Sequence, residues 1–382
     1  MRIRIDKEIP QMISTEKANF RMRSSSTVAV RIAVFLVLFT GTSLIAAEPM
    51  PVIGQPTSVL NFVWHPHSAG LISTGKFNGL GQWMFTVGDG NRLKACELNQ
   101  LVRLPNHSNS LAISGRPALI VVGTNVGTVE LYDDQSLRLK KQFKVGPEYS
   151  VYAVAIDAHA KRVAACGTDG TVLVWDLEAG RQIHHFKQAS REGERMAALA
   201  FSPDGESLAT LSRYGFLSLW DLSSGQRIGK AIDQSGGEES ALKFSTSGDR
   251  IVVVERAMIR IWHPTHEPEA HVIIPPEDVC PRHPKAEDSF PRSGPDFGNG
   301  IRFAGVTTVS SDLKRAATVL ESGGIAIWDL ASVKTLATLP PAESMTKTDR
   351  PGSDVRHIAF SPDESKIAVS TGEGVLAVWQ IK

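Results

Sequence analysis

From about residue 58 onward, apolar residues come in runs of four to six, separated by glycine-, proline-, serine- and aspartate-rich tetrads. Within many runs the polarity alternates from one residue to the next. That period of two places side chains on opposite faces of a strand, and such short runs bounded by turn residues predict strands rather than helices. Three segments repeat one layout. AALAFSPDGESLATLSRYG (197–215), ALKFSTSGDRIVVVERA and HIAFSPDESKIAVSTGEG each read strand, polar turn, strand, tight turn. Pro203-Asp204-Gly205 and Pro362-Asp363 set or tolerate the dihedrals such turns need.

A third strand follows each pair and carries an aromatic anchor. TVLVWDLEAGRQI (171–183) aligns with FLSLWDLSSGQRI (216–228), GIAIWDLASVKTL (324–336) and GVLAVWQIK (374–382). MIRIWHP (258–264) is a fifth copy. Two weaker copies come first, with Tyr132 and Cys96 in the aromatic position. The register residues are therefore Cys96, Tyr132, Trp175, Trp220, Trp262, Trp328 and Trp379, with Asp176, Asp221 and Asp329 after three of them. Their separations of 36, 43, 45, 42, 66 and 51 residues suit four-stranded units of about 40–45 residues, two of them lengthened by insertions at 263–300 and 340–354.

With seven registered copies the chain resembles the WD-repeat family of β-propellers over residues 58–382. The resemblance implies an all-β, seven-bladed propeller of four-stranded antiparallel blades, each tryptophan packed between neighbouring blades. It also implies a ring closed by pairing between the N-terminal strand and the last blade. The copy at Trp379 ends with its third strand, and the run SVLNFVWHP (58–66) is expected to supply the fourth. Of the family's polar set, Asp169 and Trp175 are present with Thr168 beside them, but no histidine precedes the first strand of a strong copy.

The N-terminal region changes the picture of where the protein works. Residues 1–47 carry seven Lys/Arg against three Asp/Glu, then an apolar run after Arg31 that ends in small residues, so cleavage after Ala47 is expected. The run is shorter than the roughly 20 residues of a membrane span, which predicts a secretory signal without stable membrane insertion after cleavage. Met22 sits at a normal distance upstream and is a candidate true start. Residues 48–57 read as a short linker. Export to a periplasm, cell envelope or medium follows.

Composition narrows the chemistry. The 382 residues are 42% hydrophobic and 21% charged, and the chain after residue 47 holds 34 basic and 37 acidic residues, which gives no basic face for nucleic acid. Cys96, Cys166 and Cys280 form no CxxC pattern. GLISTGK (70–76) matches a phosphate-loop spacing, but Phe77 follows in place of the Ser or Thr, so a strand and turn is the better reading. His263, His266, His271, His283 and Cys280 in the first insertion fit no tight metal-ligand spacing, and neither metal nor cofactor is expected. Asn106-His107-Ser108 is a formal glycosylation sequon, relevant only to a eukaryotic source.

No catalytic motif stands out, and aspartates repeated in register argue for structure. The expected function is a non-enzymatic exported scaffold that binds protein partners. The alternatives are an exported hydrolase or redox enzyme working at the mouth of the central channel, or a carbohydrate-binding protein using Trp64 and Trp83. Candidate partner-binding residues are Tyr149, Arg191, Arg195, Arg213, Tyr214 and Arg256 on the loop-covered face, beside Glu373 and the second insertion, because Tyr and Arg dominate interface energetics.

Overall fold

The computed structural model describes residues 49–381 except 51, 54–58, 68–69, 76–78, 88–92, 147–148, 188–194, 233–239, 256–257, 264–270, 274–305, 321 and 343–354. The signal region with Met22 and Ala47 lies outside these residues, as do Arg191, Arg256, Cys280 and nearly all of both insertions.

The chain from Ser43 to Lys382 forms one unit of seven sheets. Two short strands come first, β1 (Pro49–Met50) and β2 (Val52–Ile53). Blade 1 follows as β3 (Val59–Trp64), β4 (Gly70–Gly75), β5 (Gly79–Val87) and β6 (Leu93–Arg103). Blades 2 to 6 are β7–β10 (108–144), β11–β14 (153–187), β15–β18 (196–232), β19–β22 (240–273) and β23–β26 (307–339), and β27–β29 (355–380) begin the seventh. In each blade consecutive strands, termed a to d from the centre outward, pair antiparallel. The expected seven-bladed propeller is therefore the fold.

Ring closure comes from a different segment than expected. The fourth strand of blade 7 is β1, with Pro49 opposite Trp379 and Met50 opposite Val378. The run 58–66 instead forms strand a of blade 1, paired with β4 from Val59–Gly75 to Trp64–Leu71. Residues 48–57, read as a linker, thus contain both β1 and β2. The second of these pairs parallel with the outer edge of blade 1, Val52 to Cys96 and Ile53 to Glu97. One short stretch thereby covers the edges of two adjacent blades, and covering edges blocks unwanted pairing.

The register of blade 1 also shifts. Cys96 lies in the outer strand β6, whereas the aromatic position of strand c belongs to Trp83 in β5. Trp83 donates its indole N–H to Ser73 Oγ at 2.8 Å, ten residues earlier in strand b. Trp220 to Thr210 and Trp328 to Thr318 make the same ten-residue bond, each at 3.0 Å. Cys96 has no such role; it is buried, and desolvation pushes its thiol up to about 12.

The tryptophans do pack between blades. Phe143, on strand d of blade 2, stacks on Trp175 of blade 3 at 5.3 Å, and Phe186 of blade 3 stacks on Trp220 of blade 4 at 4.3 Å. Two residues before each, a side chain reaches a carbonyl in the following blade: Lys141 to Leu177 O at 2.9 Å, and His184 Nε2 to Leu222 O at 2.8 Å. Aspartates after the tryptophans serve the c–d turns. Asp176 accepts from Ala179 N, Asp221 from Ser223 and Ser224, and Asp329 from Ser332. At Asp221 and Asp329 the serine bonds favour the carboxylate; with Ser223 foremost, Asp221 falls to about 2.

A second device repeats at the a–b turns. Ser114, Ser202, Ser245, Ser310 and Ser361 each accept from the backbone N–H five residues on, and Asp157 does the same in blade 3. Ser202, Ser310 and Ser361 then donate to an aspartate two residues on. Side-chain bonds to local backbone satisfy turn donors without a longer loop.

Candidate functional site

Strand order divides the connections between two faces. The a–b and c–d turns share one end of every blade, and the b–c turns and d–a loops share the other. Hydrogen bonds between neighbouring blades respect this division. Gly115 N and Arg116 N bond Ala158 O from one a–b turn to the next, while Val151 N bonds Thr124 O and Val59 N bonds Gly374 O on the opposite face.

Every described partner-binding candidate lies on that second face. Tyr149 sits in the d–a loop entering blade 3, where Val151 N bonds Thr124 O and Tyr152 N bonds Cys166 O, so this loop spans the b–c ends of blades 2 and 3. Arg195 precedes strand a of blade 4, and its carbonyl accepts from Arg213 N at 2.8 Å in the b–c turn of the same blade. Its guanidinium lies 5.4 Å from the Tyr152 ring centre, within cation–π range. Tyr214 follows in that turn with half of its surface open to solvent. Arg195, Arg213, Tyr214 and Tyr152 thus share one neighbourhood. Tyr152 was not among the sequence candidates; only the fold brings Arg195 over its ring. Glu373 is exposed on the same face, at the b–c turn of blade 7.

Asp169 belongs to the turns. It accepts from Thr171 N at 3.0 Å and Thr171 Oγ1 at 2.7 Å, closing the b–c turn of blade 3 with Gly170 at positive φ. Gly70–Gly75 of the phosphate-loop match is strand b of blade 1, as read. A Cβ on Gly70 would sit 1.8 Å from the Trp83 carbonyl oxygen, which explains its glycine by strand approach.

Among the described residues no group of three His, Cys, Asp or Glu gathers in metal-binding geometry, and no helix is long and apolar enough to cross a membrane. Trp64 and Trp83, the aromatic platforms considered for carbohydrate, are buried. Trp64 gives its N–H to Ala359 O at 3.1 Å across the seam between blades 1 and 7.

The molecule is thus a seven-bladed β-propeller whose two faces present different sets of turns. Residues 137–176, from the outer hairpin of blade 2 through Asp176, match the family described as WD domain, G-beta repeat. The chain is similar to the fly protein groucho of Drosophila melanogaster, at 25% identity over 46% of this chain and 23% of that protein. It is similar to the target of rapamycin complex subunit LST8 of Rattus norvegicus, at 25% over 39% of this chain and 49% of the relative. A WD repeat, SAM and U-box domain-containing protein of Danio rerio is 32% identical over 21% of the chain and 16% of its own length. The chain therefore spans at most about half the length of these relatives.

Proposed function

We propose that this protein is an exported, non-enzymatic scaffold that binds a protein partner through the face carrying its b–c turns and d–a loops. The observation that carries this reading is the neighbourhood of Arg195, Arg213, Tyr152 and Tyr214. Two loops held together by the Arg213–Arg195 backbone bond present an arginine over one tyrosine beside a second, half-exposed tyrosine. Large planar side chains on a rigid scaffold lose little freedom on binding, which is why they concentrate binding energy. In this proposal Tyr149 extends the same surface, and Arg191, Arg256 and the second insertion, which fall almost wholly outside the described residues, are further expected contributors. The WD-type repeat match and relatives that carry WD repeats support a binding role, and the matching family description names no catalytic activity. Export rests on the apolar run after Arg31 and the small residues ending at Ala47.

The test is crosslinking and affinity capture from the native envelope or medium, comparing the protein with an Arg195→Ala/Tyr214→Ala variant. Recovery of one partner at stoichiometric level, lost in the variant at unchanged melting temperature, is expected. Turnover of a small substrate without any captured partner would overturn the reading.

A further inference from the structure

The repeat itself exposes an anomaly between blades 1 and 2. The residue two places after the strand-c aromatic is Phe85, Leu177, Leu222, Leu330 and Ile381 in blades 1, 3, 4, 6 and 7. Leu222, Leu330 and Ile381 are buried in the hydrophobic clusters between blades, and Phe85 and Leu177 pack against such clusters. In blade 2 this position is Asp134. Where an apolar side chain would fill the seam there is instead a cavity of about 210 Å³, lined by Leu71, Gln82, Trp83, Met84, His65 and Asp134 among others. It opens on the a–b and c–d face, away from the proposed partner surface.

Its polar groups are arranged around one carboxylate. His65 Nδ1 accepts from His67 N at 3.4 Å, which leaves Nε2 to donate to Asp134 Oδ2 at 3.2 Å. Gln82 donates to the Asp134 carbonyl at 2.8 Å, and its own Oε1 is taken by Asn99 at 2.8 Å. Both histidine nitrogens are engaged, the Trp83 N–H is given to Ser73, and Asp134 Oδ1 has no partner among the described residues. Met84 stands at the mouth, 39% exposed. The cavity thus has apolar walls, one open acceptor that carries negative charge, and a size below the roughly 300 Å³ at which drug-sized sites begin.

We infer that this cleft receives a single cationic side chain, lysine or arginine, from a protein partner. The aliphatic stem takes the place of the missing leucine against Leu71 and Met84, and the charged head meets Asp134 Oδ1. Long basic side chains combine these two properties, burying the stem while keeping the head on a polar group. The inference does not depend on the partner surface of the opposite face.

Titration of the purified protein with Nα-acetyl-lysine amide and Nα-acetyl-arginine amide, followed by NMR, is the test, with Nα-acetyl-norleucine amide as the uncharged comparison. Saturable binding of a cationic amide is expected, weakened at least tenfold in both Asp134→Asn and Asp134→Leu. The second variant restores the apolar side chain of the other blades and stays folded, as its melting curve will report. Equal binding of norleucine amide, no saturable binding, or indifference to Asp134→Asn would overturn the site. A lysine-bearing hexapeptide binding more tightly than the single amide supports a protein source. Equal affinity would assign the cleft to free amines and overturn the partner.

Discussion

Trp83 Nε1 and Ser73 Oγ are joined by a buried 2.8 Å hydrogen bond between strands c and b of blade 1. This places Trp83, followed by methionine and lacking any Trp-Asp pair, in the same role as Trp220 and Trp328. Trp83 is 1% exposed and packs with Phe62, Leu71 and Cys96. Trp83→Ala is expected to cost roughly 3–5 kcal/mol, and Ser73→Ala about 1 kcal/mol through loss of the bond. Cys96→Ala, outside the aromatic register, should stay near the 1 kcal/mol typical of point substitutions. Denaturant unfolding of the three variants checks the order. A larger loss at Cys96 than at Trp83 would restore the register first expected from the sequence.

How much of this was legible in the sequence follows from the physics of the repeat. Blades 3 to 7 declare themselves, because a third strand carrying tryptophan recurs with little distortion, and blades 4, 5 and 7 repeat one strand–turn–strand layout before it. Blade 1 hides its register. Its c–d hairpin is longer, with β5 and β6 of nine and eleven residues, and Met84 replaces the turn-capping aspartate. The ten-residue spacing from hydroxyl to indole, shared by Ser73/Trp83, Thr210/Trp220 and Thr318/Trp328, was the available signal. Closure was hidden for another reason. Each closing strand is two residues long, too short for any periodicity, and only the unpaired edges of blades 7 and 1 identify their partners. The loop-face candidates were legible by topology, since b–c turns and d–a loops fall together once strand order is known. The cleft at Asp134 was not, because its lining comes from His65, Leu71 and Trp83 of blade 1 as well as from blade 2, and these meet only in the fold.

The short N-terminal pair carries the second prediction. Pro49–Met50 and Val52–Ile53 cover blade 7 and blade 1 in succession. A chain starting at Glu48 should melt like the longer protein, whereas one starting at Gly54 should melt several degrees lower and self-associate through the exposed edges. Calorimetry with size-exclusion chromatography distinguishes them. Equal melting of the two chains would count against closure by these strands.

Stability should depend on pH through two partly buried bases. His357, on strand a of blade 7, packs its ring 4.6 Å from Phe62 with Nδ1 buried and unpartnered, and burial lowers its pKa from 6.5 to about 4. The folded state therefore holds fewer protons than the unfolded chain between those values. Stability is full above pH 6.5 and is lost as pH falls toward 4, by about 3 kcal/mol at most. Lys243, beside the carbonyls of Val309 and Ser310, is lowered to about 8, chiefly by desolvation. By the same sign, stability should rise between pH 8 and 10.5. Urea midpoints across pH 4–10, with His357→Leu flattening the acidic limb alone, check both.

A charged tie between the last two blades lies at their a–b turns. Arg315 Nη2 meets Glu364 Oε2 at 2.7 Å with both side chains mostly buried, at 16% and 12% exposure, and Glu364 Oε1 also accepts from Asp312 N at 3.2 Å. Glu364 is held at φ 56°, the left-handed position that the a–b turns of blades 3 to 6 also give to Ala160, Gly205, Gly248 and Leu313, so the turn itself carries some backbone strain. Removing one partner leaves the other charge poorly solvated, which outweighs the modest net worth of the pair. Glu364→Ala and Arg315→Ala are each expected to cost about 2–3 kcal/mol, and the double variant less than their sum by about 1 kcal/mol or more. Additive losses in a double-mutant cycle would show that the two side chains act separately. Glu364→Gly should fall between wild type and Glu364→Ala, because glycine loses the same ion pair while relieving the positive φ.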